Sequence, residues 1–132
     1  MSADVASIVL AGFAALVLVH VGARSFLLRA TVGNDWTFGP RDHPVASGLL
    51  TGRASRALRN LLETAPAFLT LMLALHRSGR GGMLAPSGAL VYLAGRAVYL
   101  PTYLSGLPWL RRLCWLGATL GLAFMLIGVL FA

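Results

Sequence analysis

The chain has 132 residues and a formal net charge of +7, yet 58% of its residues are hydrophobic and only 11% are charged. Soluble domains carry about 25% charged residues, so this composition excludes an ordinary soluble enzyme and points to a single membrane domain, residues 1–132. Every basic residue is Arg, but these arginines border apolar segments instead of forming a basic face open to water, which argues against nucleic-acid binding.

A bilayer core takes about 20 apolar residues per helix, and four such segments can be drawn, over 5–23, 56–75, 84–104 and 113–132. The first is preceded by Asp4 and no basic residue, unlike the positive leader of a secretory signal, so it is expected to persist as a helix with its N-terminus outward. His20, alone in this span, is expected to bond within the bundle; His43 and His76 read as loop or boundary residues.

The first loop, residues 28–50, holds the turn-forming runs Gly33-Asn34-Asp35 and Gly39-Pro40-Arg41-Asp42-His43-Pro44. Asp35 and Asp42 are available there to pair with neighbouring arginines. Arg24, Arg29, Arg41, Arg53, Arg56 and Arg59 lie in or beside this loop, and Arg111 and Arg112 in the third, whereas the second has only Arg77 and Arg80. Because positive charge stays on the cytoplasmic side, loops one and three are expected there and both termini opposite, periplasmic if the membrane is a bacterial inner membrane or luminal if it is eukaryotic endoplasmic reticulum. Trp36, Trp109 and Trp115 fall near the arginine-rich side, where such rings anchor an interface.

The second segment carries the most informative residues. Arg56, Asn60 and Glu63 are spaced four and three apart, along one side of a 3.6-residue helix, with Arg53 extending the stripe. Arg59, four before Glu63, is placed for a local ion pair, and Pro66 removes one helix hydrogen bond, so a kink or loosening is expected there. Ser78-Gly79-Arg80-Gly81-Gly82 reads as a hairpin link.

On the third segment Tyr92, Arg96, Tyr99 and Tyr103 recur at intervals of four, three and four, forming a second polar stripe. Ionisable groups inside a bilayer cost about 2.5–3.5 kcal/mol each and mark functional sites, so two facing stripes imply a shared polar site. Guanidinium groups hold carboxylates bidentately, Glu63 can hold an amine and the phenols donate. A small zwitterion with several carboxylates, such as glutathione, suits that set, and a neighbouring guanidinium favours its thiolate. The bland alternative is that these groups only satisfy one another between helices. In the last segment Gly117-Ala118-Thr119-Leu120-Gly121 has the small-xxx-small spacing of close helix packing. Cys114 has no intrachain partner, no His, Cys and carboxylate set has metal-site spacing, and there is no phosphate-binding glycine loop or serine triad.

These residues resemble the membrane-associated proteins in eicosanoid and glutathione metabolism, the MAPEG family, in its bacterial branch. The resemblance rests on Arg-Ala-x-x-Asn-x-x-Glu-x-x-Pro, met by Arg56, Ala57, Asn60, Glu63 and Pro66, and on Arg-x-x-Tyr-x-x-x-Tyr, met by Arg96, Tyr99 and Tyr103; Gly39-Pro40-Arg41-Asp42 fits the bacterial branch. It implies an all-α integral membrane four-helix bundle assembled as a homotrimer. Glutathione would be a cosubstrate between subunits, contacted by Arg56, Asn60, Glu63, Tyr99 and Tyr103, with Arg96 in the same motif and Arg24 reaching in from a neighbour. The thiolate-stabilising Arg would be Arg111 or Arg112, and spacing does not choose between them. Thr64 and Leu58 stand where leukotriene-forming members have Tyr and a polar residue, which argues against eicosanoid synthesis.

The implied function is a glutathione transferase or peroxidase acting on lipophilic electrophiles or hydroperoxides from the bilayer. Two alternatives of other classes are a small proton-coupled exporter using Glu63 and a noncatalytic membrane interaction protein. The strong arginine bias, and the position of the carboxylate beside Arg, count against the exporter.

Overall fold

In the computed structural model, which describes residues 1–80 and 82–131, the described residues form five helices. They are α1 (Ala3–Val32), α2 (Asn34–Phe38), α3 (Leu49–Ser78), α4 (Leu84–Ser105) and α5 (Pro108–Phe131). Gly81, in the expected hairpin link, and Ala132, the end of the fourth expected span, lie outside the described residues. Three helices are long and apolar enough to cross a membrane, α1, α3 and α5. In α4 the run of Ser87, Tyr92, Arg96, Tyr99, Thr102 and Tyr103, with Pro86 and Pro101, lowers the apolar content of an otherwise sufficient 22 residues.

Each apolar window is mostly uncovered by the protein itself, with 22% of its residues buried in α1, 33% in α3 and 22% in α5. Lipid is the natural solvent for such surfaces. The helices also outrun the apolar segments. At 1.5 Å per residue the 30 residues of α1 span about 45 Å against a hydrocarbon core of about 30 Å, so a turn or more of α1 projects into the headgroup layer.

The first loop is shorter and more ordered than its sequence suggests. Gly33, at φ +94°, ends α1 and immediately precedes α2, so the turn expected over residues 33–35 is confined to Gly33 and Asn34 already begins a helix. Arg41 does not pair with either aspartate: its Nε and Nη2 donate to the Thr37 carbonyl at 3.1 and 2.9 Å and its guanidinium lies over the Trp36 ring. The Trp36 indole N–H donates to the His43 carbonyl at 2.7 Å, tying the loop back on itself. Helix α3 runs uninterrupted through Pro66.

With lipid outside, helix association rests on close packing and interhelical hydrogen bonds. The α4 and α5 backbones approach where both present glycine. A Cβ on Gly88 would lie 2.5 Å from the Gly121 carbonyl oxygen, and one on Gly121 would lie 2.6 Å from that of Gly88. One end of the small-residue run in α5 thus makes the contact, while Gly117 faces open space. The α1, α3 and α4 helices meet through aromatic rings: Phe68 stacks on Tyr92 with centroids 4.5 Å apart and Phe13 sits 4.9 Å from Phe68.

Gly121→Val is therefore expected to lower stability by about 1–3 kcal/mol, the usual cost of overpacking, while Gly117→Ala raises it by about 0.5–1 kcal/mol, the helix-propensity gain of Ala over Gly where nothing is in the way. Thermal unfolding of both variants in one detergent checks the contrast.

Candidate functional site

The α3 residues Arg53, Arg56, Asn60 and Thr64, at intervals of three, four and four, reach α4. Arg53 Nη1 donates to the Leu104 carbonyl at 3.1 Å, where a cation offsets the partial negative charge of a helix C-terminus. Gly106, which ends α4 at φ +76°, lies directly under this guanidinium: an added Cβ would meet Arg53 Nη1 at 2.9 Å.

Deeper in the bundle, Arg96 is fully buried, at 0% exposure. A guanidinium keeps its proton, so this is a buried cation, and no carboxylate contacts it among the described residues. Its Nη1 donates to Asn60 Oδ1 at 2.6 Å and its Nη2 to Thr64 Oγ1 at 3.1 Å. The Tyr92 and Tyr99 rings lie 5.6 and 5.3 Å from its central carbon, close enough for cation–π attraction. The Thr64 hydroxyl has one proton, and Thr64 Oγ1 donates it to the Leu61 carbonyl at 3.2 Å. The contact of 2.8 Å between Thr64 Oγ1 and the Tyr92 hydroxyl then has Tyr92 as donor. Thr64 thereby accepts from both Arg96 and Tyr92, which fills its acceptor capacity. His20, also fully buried, donates from Nδ1 to the Leu16 carbonyl at 2.8 Å, as its lone position in α1 suggests. Its Nε2 and the Nε of Arg96 have no protein partner.

Nearer the arginine-rich end, Tyr103 gathers two cations. Arg56 Nε donates to its hydroxyl at 3.2 Å and the Arg56 guanidinium lies 5.9 Å from its ring centroid. The Arg111 guanidinium, from α5, lies 4.8 Å from the same ring. Tyr99 meets Tyr103 edge-on, with centroids 5.5 Å apart, so Tyr99 separates the buried Arg96 from this outer group. Arg56 is exposed, and Tyr103 and Arg111 are half-buried. The outer group therefore reaches the protein surface, while Arg96 is enclosed by its own neighbours. Arg112 is exposed, with no polar or aromatic partner among the described residues.

Glu63 follows a different course from its stripe. At about 100° per residue it sits roughly 60° round α3 from Asn60, and it lines an open groove of about 420 Å³ with Arg24, Ser55 and Arg59, between α1 and α3. Arg24, Arg59 and Glu63 are all exposed on this side, and the expected Arg59–Glu63 ion pair does not form within 4.0 Å among the described residues. Within one chain, then, Arg56, Tyr103 and Arg111 come together. Asn60, Arg96 and Tyr99 make an inner layer, and Arg24 and Glu63 flank a separate groove. Thr64, which the sequence marks only as a departure from a motif, is the residue sequence reasoning missed; its spacing of four from Asn60 was the available signal. No cluster of three or more His, Cys, Asp or Glu able to hold a metal occurs among the described residues.

Asn60→Ala is expected to destabilise the protein by about 1.5–3 kcal/mol, the range for hydrogen bonds to charged groups. Thr64→Val, which leaves both Arg96 Nη2 and Tyr92 short of an acceptor, should cost about as much. Chemical unfolding monitored in micelles checks both values.

No curated protein and no solved structure matches the chain. A family model does, over residues 5–131, nearly the whole length. Together with the apolar helices and the arginine–tyrosine cluster, that match makes the chain a member of the MAPEG family, membrane proteins that are glutathione-related transferases, peroxidases or relatives of these.

Proposed function

We propose that the chain is a glutathione-dependent transferase or peroxidase of a membrane, acting on lipophilic electrophiles or hydroperoxides, as one unit whose four long helices each span the bilayer. The observation that carries this reading is the pair of guanidinium groups, Arg56 and Arg111, both brought to the Tyr103 ring, 5.9 and 4.8 Å from its centroid, the three residues lying on three different helices. Two neighbouring cations repel unless an anion joins them. A carboxylate or thiolate in that position would be held by Arg56, by Tyr103 and by Arg111.

Glutathione fits this donor set, and when bound it supplies the nucleophilic sulfur. Arg56 is suited to a carboxylate, because its Nη groups are not committed to the protein among the described hydrogen bonds. The cation at Arg111 favours a thiolate over a thiol beside it, and its place against Tyr103 favours it over Arg112 for that role. Asn60, Arg96 and Tyr99 act behind this layer: they fix the tilt of α3 against α4 and hold Tyr103 in place.

The groove lined by Arg24, Arg59 and Glu63 supports a homotrimer. These charges lie on the outer face of a membrane protein, where lipid is a poor solvent for them, and a neighbouring subunit closing over the groove would relieve that cost. Glu63 would then meet the ligand amine across the interface, with Arg24 approaching from the neighbour. The arginine bias of the loops supports cytoplasmic sites and periplasmic termini in a bacterial inner membrane. Exporter chemistry at Glu63 draws no support from the geometry, since that carboxylate lines an arginine-flanked groove on the outer face.

Calorimetric titration of the detergent-solubilised protein with glutathione should give saturable binding. Arg56→Ala should weaken it by roughly ten- to a hundredfold, as loss of a charge-assisted bond implies. Arg111→Ala should abolish the thiolate ultraviolet absorbance of the complex, and Arg112→Ala should retain it. Absence of saturable binding at millimolar glutathione overturns the proposal.

A further inference from the structure

The geometry points to a second site, for the phosphate of an anionic phospholipid, at the junction of α1 and α2. A recess of about 340 Å³ opens there, lined by Ser25, Phe26, Arg29, Thr37, Phe38 and Arg41. It brings two guanidinium groups and the Ser25 hydroxyl together and no carboxylate lines it, the Thr37 hydroxyl being spent on the Gly33 carbonyl at 2.7 Å. Neither Arg29 nor Arg41 belongs to the arginine–tyrosine cluster, so the inference stands apart from the reaction proposed above.

The placement matches a lipid headgroup. Arg29 is in the last turn of α1, well beyond the apolar segment, at the depth where the projecting end of that helix leaves hydrocarbon. Arg41 is held in advance of any ligand. Its backbone adopts φ +59°, a left-handed conformation that few non-glycine residues take, and its side chain is pinned between the Thr37 carbonyl and the Trp36 ring. Two of its five N–H groups are spent on Thr37, leaving three. Phe26 and Phe38, 65% and 74% exposed, flank the recess and offer apolar surface to acyl chains below a bound phosphate. A soluble anion would use the arginines and the Ser25 hydroxyl but not these rings, so we assign the site to the lipid.

The test is native mass spectrometry of the full chain released from nanodiscs of equimolar phosphatidylcholine and phosphatidylglycerol. The unaltered protein should retain phosphatidylglycerol preferentially, by on the order of fivefold per arginine. The exposed positions of Arg29 and Arg41 let the Arg29→Gln, Arg41→Gln protein fold, which thermal unfolding verifies, and its preference should fall to parity. If that pair unfolds, Arg29→Gln alone should still lose part of the preference. Arg77→Gln with Arg80→Gln, on the opposite loop, should leave it intact. Equal retention of the two lipids by the unaltered protein overturns the assignment. So does a preference that survives in the Arg29 and Arg41 variants, or one lost equally in the Arg77 and Arg80 variant. Displacement of the lipid by millimolar inorganic phosphate would transfer the site to a soluble anion and also overturn it.

Discussion

The structure depends on a cation sealed inside a bundle without a carboxylate. Arg96 is solvated by an amide oxygen, a hydroxyl and two aromatic faces, all of them dipoles or quadrupoles. That arrangement fixes registration, since Asn60 and Thr64 sit one turn apart on α3 and both must meet the same planar group on α4. A slip of α3 by one residue would remove both acceptors, and a buried donor left unpaired is costly. The buried Arg96 is thus the pin that aligns α3 with α4, with Tyr99 packed edge-on against the Tyr103 ring that Arg56 and Arg111 approach.

The other side of α4 is organised by the absence of side chains. Gly88 and Gly121 bring α4 and α5 to backbone contact, and Gly95 packs on Ala118 further along, where an added Cβ would lie 3.1 Å from that of Ala118. This close approach sets where the start of α5 emerges, and therefore where Arg111 stands relative to the Tyr103 ring. Polar pinning on one face of α4 and glycine packing on the other together determine one point, the space between two guanidinium groups. In α4 the polar residues Tyr92, Arg96 and Tyr103 bond to α3, and the hydroxyls of Ser87, Thr102 and Ser105 bond to carbonyls one turn back or nearer.

Much of this was legible in the chain. The spacing of Tyr92, Arg96, Tyr99 and Tyr103 shows a single polar stripe, and the structure places all four toward α3 or α5. Arg56 and Asn60 were equally readable. Glu63 was not, because it sits at the edge of the stripe, about 60° back round α3 from Asn60, and sequence periodicity alone does not say which of two adjacent faces meets a neighbour. Thr64 was hidden by being neither charged nor aromatic; its value lies in accepting two bonds at once, which only the partners' positions show. The choice between Arg111 and Arg112 likewise depends on how α5 is rotated against α4, and that rotation is set by glycines many residues away. The helical start at Asn34 was obscured by turn-forming residues that serve, at Gly33, to end one helix and begin the next.

The most direct test of the central claim is an experimental structure of the protein in lipid nanodiscs with glutathione. The account predicts ligand density within hydrogen-bonding reach of Arg56, Tyr103 and Arg111, with Arg96 still bonded to Asn60 and Thr64. Density lodged elsewhere, or Arg111 turned away from Tyr103 with Arg112 in its place, would contradict it.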